Sequence, residues 1–420
     1  MPDAGGTTMS GAAQHRVVEG RGAWVAACAA LAILAFSYGS PLLIVVGLKP
    51  ITTGLDTARQ VTALAAALTW VGTGAGGILM GWLADRIGIR RIVMFGAVMI
   101  AAGLAVSSIG TIWALFIGHG LLLGLLGNGA MFPPLLVYVS RWFDRRRGTA
   151  LALIASGQYI AGMVWPSVFE HTMASYGWQA TMIGYGLVVL VAIPPLALIL
   201  LHPAPEQPRL GEADRAGRSR ASVLGMRPNL MLGILCAAGF FCCVPMALPQ
   251  SHLVAFCTDV GVAPTTSALM LSVLQACAFC SRQFWGWVAD KFGGLLTLIL
   301  GSACQALAIG AFLLTKSEAG LFAVSAAFGL GFSGIVPAYV LVVRELFPSF
   351  EAAWRVPMVL FVSMGGMAFG SWFAGALYDH FGYYAPAFAS GVLFNAVNLA
   401  LVGFLLLRQG VRRGMRPAMA

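Results

Sequence analysis

The chain has 420 residues, 59% of them hydrophobic and 10% charged, with a mean hydropathy of +0.85 and a formal net charge of +10. That balance leaves too little polar material to cover a water-soluble globule of this length. The basic excess would suit a nucleic-acid binder only if it were clustered; it is distributed as a membrane-topology signal, so both classes are excluded.

A polar, glycine-rich tail runs to residue 22. The apolar stretch after it is too long for a signal-peptide core and lacks a cleavage site, so it reads as a retained first helix. A hydrocarbon core of about 30 Å needs around 20 helical residues. Apolar runs of that order recur at 23–48, 59–83, 91–110, 112–139, 148–170 and 178–201. A second set follows at 229–256, 264–289, 294–315, 319–344, 353–377 and 384–407. None alternates as the short strands of a membrane barrel do. The expectation is an all-α membrane protein with twelve transmembrane helices in two six-helix bundles, 23–201 and 229–407. Between them lies a polar linker, 202–228, rich in Pro, Arg and Gly, and a tail, 408–420, follows.

Placing both termini in the cytoplasm puts 21 Lys and Arg on the inner side and three, Lys49, Arg59 and Lys316, on the outer side. So lopsided a split is the positive-inside signature. It predicts that tails and linker are cytoplasmic, in the inner (plasma) membrane of a bacterium. The eight cysteines lie within spans or at their ends, so no disulfide framework is indicated. Cys277 and Cys280, spaced C-x-x-C, merely share a helix face.

Two octets repeat. Gly81, Trp82, Ala84, Asp85, Arg86 and Gly88 follow the second span; Gly286, Trp287, Ala289, Asp290, Lys291 and Gly293 follow the eighth, 205 positions later. A repeat at half the chain length signals two related halves. Gly81 and Gly286 are expected to permit close helix approach, and Asp85 and Asp290 to cap or pair with the next helix.

At these residues the chain resembles the major facilitator superfamily, whose loop motif continues here into Arg90 and Arg91 but carries Ile89 at a usually basic position. Within it, two stretches are similar to monocarboxylate and oxalate/formate carriers. One is Phe36 to Ile51, with Pro41 and Lys49; the other runs from Gly124 through Asn128, Pro133, Trp142, Phe143 and Arg146 to Gly157. The resemblance implies a secondary transporter working by alternating access. It also implies that Arg282 occupies the substrate-binding arginine position of the eighth helix. The chain departs at Ala278, where mammalian members carry Asp, and at Leu42, where they carry Lys; both departures put the coupling mechanism in question.

Arg282 also stands out without the resemblance. It lies mid-span, has no carboxylate within a helical turn, and cannot shed its proton. Such a charge costs about 2.5–3.5 kcal/mol at the centre of a membrane helix, so it marks a cavity or an anionic partner. The partner expected is a small organic anion, most readily a monocarboxylate, with Arg282 gripping the carboxylate. A dicarboxylate exchanger, or a carrier of a larger vitamin- or drug-like solute, is the alternative. Asn128, Tyr38, Tyr159, Tyr339 and Ser333 are candidate substrate contacts, with Tyr138 and Gln158 beside them; helix-to-helix hydrogen bonding is the plainer reading of each. His119 is the proton-coupling candidate, against a packed neutral histidine. His252 and Glu170–His171 lie near the outer side without an assigned role.

All fifteen Asp and Glu lie in loops or near span ends. A buried-carboxylate symport scheme is therefore disfavoured, and exchange gains. Symport and antiport both stay open, with a co-transported proton one of the options. The repeated octets are expected to gate the conformational cycle. Gly-rich strings lack a P-loop Lys-Ser/Thr, so no ATP site is implied; no cofactor or metal is expected, and without His, Asp or Glu clustered at a shared depth no enzyme is expected either. Membrane lipid is the other expected partner, and a monomer suffices.

Overall fold

The computed structural model describes residues 20–143, 146–200 and 223–414, and these residues are almost wholly helical. The expected N-terminal tail to residue 19, most of the linker and the last six residues lie outside the described residues.

Twelve helices cross in order. α1 comes in three pieces, Arg21–Ser37, Gly39–Val46 and Leu48–Gly54. α2 is Arg59–Ile87 and α3 is Ile89–Ser107. α4 begins at Ile112–Phe116, widens to a π-helix over Ile117–Gly127, tightens at Asn128–Ala130 and ends as Phe132–Ser140. α5 starts as Arg147–Ala155 and continues in Gly157–Leu200, a run that also contains α6. Gly177, at φ 81° and ψ 165°, separates the two. Eleven helical runs are long and apolar enough to cross a membrane, and the Gly177 break divides the longest into two. The second half has α7 Pro228–Asp259, α8 Pro264–Phe292, α9 Gly294–Leu314, α10 in pieces Glu318–Phe332 and Ile335–Leu346, α11 Ser349–Phe381 and α12 Ala385–Gly414. α12 thus reaches seven residues further than its apolar run predicts.

The breaks have local causes. Pro41 and Pro50 each fall in the first turn of a new piece of α1, where a missing N–H costs little. Carbonyls just before the first break are taken up by neighbours: Trp165 Nε1 donates to Ala35 O at 3.0 Å and Tyr185 Oη to Phe36 O at 2.6 Å. In a bilayer that compensation is obligatory. The π stretch of α4 carries four glycines and lies against α2 and α3. A Cβ at Gly76 would collide with the Leu125 backbone, and one at Gly103 with Gly118 O. Small residues here let backbones touch, the usual packing device inside membranes.

The 205-residue offset recurs in three dimensions. Gly88 (φ 90°, ψ 146°) and Gly293 (φ 83°, ψ 166°) make matching breaks between α2 and α3 and between α8 and α9. That backbone region is essentially reserved for glycine. Asn128 in α4 and Ser333 in α10, also 205 apart, both sit where the fourth helix of a half is interrupted.

The two halves meet through α2 against α11, α5 against α8 and α1 against α7. Outward faces remain apolar and exposed, as at Ile109, Trp113, Leu307 and Leu314. Such faces suit lipid contact in a multi-pass protein.

Candidate functional site

A chamber of about 50 Å³ lies between the halves. The first half supplies Tyr38, Leu42 and Val45 from α1, Trp70 from α2, and Gln158 and Tyr159 from α5; the second supplies Gln250 and Ser251 from α7 and Gln275 from α8. Its walls are largely apolar with a few placed polar groups, the usual make-up of a small-solute site. The break in α1 puts Tyr38 here. The residue sits at the end of the first piece and packs edge-on against Phe132.

Arg282 of α8 is not one of the lining residues; it connects to the chamber through Tyr159, which is. Its Nη1 donates to Tyr159 Oη at 3.2 Å, and its guanidinium carbon lies 5.4 Å from the Tyr159 ring centre. Nε is buried without a partner. Ion pairs among the described residues join Lys49 and Arg59 to Asp259, Arg141 to Asp85 and Arg355 to Glu351, and Arg282 is not in these. Among the described residues its cation is met by a neutral phenol and a ring face. Gln275, two turns earlier on the same face of α8, packs against Gly162, one turn beyond Tyr159 on α5, and its Oε1 is also buried and unpartnered.

The other predicted contacts divide. Tyr38 and Tyr159 line the chamber, as does Gln158. Asn128 is turned within the first half, accepting from Ser37 Oγ at 2.6 Å. Tyr339 is fully buried in the second half and donates to Asn398 Oδ1 at 2.8 Å. Ser333 pairs with Ser281 Oγ at 2.8 Å, beside Arg282 in sequence. His119 is sealed in the first half, its Nδ1 2.7 Å from Ser107 Oγ and its Nε2 unpartnered.

The repeated octets lie at one end of the molecule. Asp85 pairs with Arg141 after α4 rather than with the next helix. Arg86 stacks 3.5 Å over Trp82, and Lys291 lies 5.0 Å from Trp287. Arg90 is half-buried at the start of α3, and Asp290 is exposed. The cap on the next helix comes from Glu345, whose carboxylate accepts from Gly294 N at 3.2 and 3.3 Å. The close approach expected at Gly81 and Gly286 is absent, since a Cβ at either would meet nothing within 4 Å. Both glycines face open space, so there is no helix for them to admit.

The opposite end is shut. Arg59 of α2 and Lys49 of α1 converge on Asp259 at the end of α7, Lys49 Nζ at 2.8 Å. Asp379 of α11 accepts from the backbone N–H groups of Arg59 (3.0 Å) and Gln60 (2.8 Å). Arg59 also donates to Tyr384 Oη at 3.1 Å and stacks 3.7 Å over Tyr378. Burial pushes the Tyr384 phenol well above the ordinary tyrosine range, so it keeps its proton. Two cations and a helix N-terminus of the first half thus hold two carboxylates of the second. Sequence reasoning marks Lys49 and Arg59 only as outer-side charges; their partners lie 200 to 320 positions away and carry no pattern that a single chain reveals.

Comparison with known proteins follows this geometry. The family model described as Major Facilitator Superfamily matches residues 25–348. The chain is 27% identical to monocarboxylate transporter 11 of Homo sapiens over 408 residues, covering 92% of this chain and 83% of that protein. It is 27% identical to monocarboxylate transporter 13 of Bos taurus, covering 77% and 74%. It is also 25% identical to the MFS-type transporter pynF of Aspergillus niger, covering 74% and 70%. Among solved structures, a POT family transporter in complex with 5-aminolevulinic acid superposes with a TM-score of 0.71 at 13% identity, covering 92% of this chain and 96% of that one.

Proposed function

The chain belongs to the major facilitator superfamily, and from that premise we propose that this transporter carries a small organic anion, with Arg282 receiving its carboxylate. The observation that carries the reading is a permanent cation bonded to the chamber residue Tyr159 and ion-paired with no carboxylate among the described residues. A planar guanidinium with unused donors matches a carboxylate fork, and such charge-assisted pairs are about twice as strong as neutral hydrogen bonds. The named monocarboxylate transporters among the relatives support the same solute class.

Alternating access is the mechanism. The network of Arg59, Lys49, Asp259 and Asp379 holds one end shut, while the Asp85–Arg141 pair at the octet end lies within the first half. By the distribution of basic residues the shut end faces outward, which makes this a state open toward the cytoplasm. The substrate enters the chamber, meets Arg282 and Tyr159, and the halves rock about it. The octets exchange their present partners when their end closes, and Gly81 and Gly286 then give room to the approaching helix. An exchanger fits best: His119 does not reach the chamber, and no carboxylate there takes a proton.

Counterflow in proteoliposomes, with a labelled panel of mono- and dicarboxylates, tests the solute class. Saturable exchange of at least one short carboxylate, abolished in Arg282→Gln, is the expected result. Exchange of neutral solutes alone, or an unchanged affinity in that variant, overturns it.

A further inference from the structure

His252 sits on α7 behind the shut end, fully buried and doubly hydrogen-bonded. Its Nε2 lies 2.8 Å from Ser371 O of α11, and its Nδ1 lies 3.0 Å from Tyr384 Oη, just before α12. With His252 neutral, the direction of every hydrogen in this chain follows from its two ends. A guanidinium only donates and a carbonyl only accepts. Nε2 therefore carries the proton and gives it to Ser371 O. Arg59 gives to Tyr384 Oη, and Tyr384 gives its own hydrogen to Nδ1. His252 is held as the neutral Nε2–H tautomer by a cation that belongs to the other half.

We propose that His252 is a proton-binding site whose occupancy and closure of the Arg59 gate are mutually exclusive. A proton added at Nδ1 turns that nitrogen into a donor. Tyr384 Oη would then face two donors, Nδ1–H and the Arg59 guanidinium, while its own hydrogen lost its acceptor in a buried site. A second positive charge would also stand one phenol oxygen away from Arg59. When the halves part at this end, α2 takes Arg59 away and all three remaining partners stay together, because His252, Tyr384 and Ser371 belong to one half. Imidazolium Nδ1–H can then donate to Tyr384 Oη, whose hydrogen turns to incoming water. The open gate binds the proton and the closed gate expels it.

The surrounding titratable groups do not supply this behaviour in the same range. Arg59 and, behind it, Lys49 come from α2 and α1; Asp259 is on α7 itself; Tyr378 and Asp379 are on α11; Tyr384 precedes α12. Near the same depth α8 and α9 bring Met270 and Phe312, which do not titrate. Ordinary carboxylates titrate near pH 4 and tyrosines and lysines near 10, whereas an unperturbed histidine titrates near 6.5. The closed state holds fewer protons at His252, so the closed-to-open ratio rises with pH, by at most about tenfold per unit for a single proton.

The inference rests on the alternating-access part of the proposed function and not on the anion at Arg282. Its test needs no solute. Spin labels at Ala58→Cys and Tyr383→Cys, with exposed Cys28, Cys280 and Cys304 replaced by Ser, report the separation of the halves at this end by pulsed EPR from pH 5 to 8. The expected result is a short-distance population that gives way to a longer one toward acid. That response should flatten in His252→Gln, which is neutral at every pH, and in Tyr384→Phe, which cuts the relay to Arg59. A pH-independent distance in the parent, or an undiminished pH response in either variant, overturns the proposal. If one variant fails to fold, the response of the other decides the outcome alone. A failed counterflow experiment would leave this result standing, and the reverse.

Discussion

Replacing Arg282 by Gln removes the charge and the fork together, and a lost charge-assisted bond of about 1.5–3 kcal/mol corresponds to roughly 10- to 100-fold weaker substrate binding. Arg282→Lys keeps the charge without the planar fork, so it should fall between wild type and Gln in a titration of counterflow against substrate concentration. Tyr159→Phe removes only the neutral acceptor at 3.2 Å, and a loss of about 1 kcal/mol, near fivefold in affinity, is expected. Tyr38 and Tyr159, which line the chamber, and Arg282, which bonds to Tyr159, stand out in the sequence because a charge or a hydroxyl in an apolar run is visible one residue at a time. Gln275 was legible in principle, seven positions before Arg282 on the same face. Asn128 and Tyr339 were not separable from chamber residues, since a polar side chain in a span looks alike whether its partner is Ser37, Asn398 or a solute.

The elements obey the same physics at larger scale. Gly88 and Gly293 hold a backbone conformation that any side chain strains, at a cost of about 1–3 kcal/mol. Gly88→Ala should therefore lower the apparent melting temperature of the purified protein. Gly81→Ala meets open space and should leave that temperature unchanged while slowing transport, because its neighbour arrives only when the octet end closes. Equal thermal effects of the two would contradict the assignment. Helix number and order were readable from apolar run length, since a bilayer sets one length for every crossing. The piecewise construction of α1, α4 and α10 was not, because prolines and glycines mark where a helix is weak but not where its carbonyls find new donors. The repeat was readable at its glycines, yet the roles of the first and last glycine of each octet differ for reasons that only the packing supplies.

For the whole molecule, the sequence distinguishes two halves but not the state they adopt. That state is decided by cross-half contacts such as Arg59 with Asp259, whose partners are separated by the length of a half. Asp259→Asn removes the carboxylate on which Arg59 and Lys49 converge and leaves only Asp379 nearby, so the gate should loosen, and the Ala58 to Tyr383 label distance should shift toward the longer population at every pH. Failure of that shift would mean that apolar packing, not the ion network, holds the end shut. The central claim concerns the chamber, and an experimental structure with a transported carboxylate bound tests it most directly. The account predicts carboxylate oxygens within hydrogen-bonding distance, about 2.7–3.2 Å, of the Arg282 guanidinium, with Tyr159 still beside it. A carboxylate bound elsewhere, or a guanidinium turned out of the chamber in that structure, would contradict it.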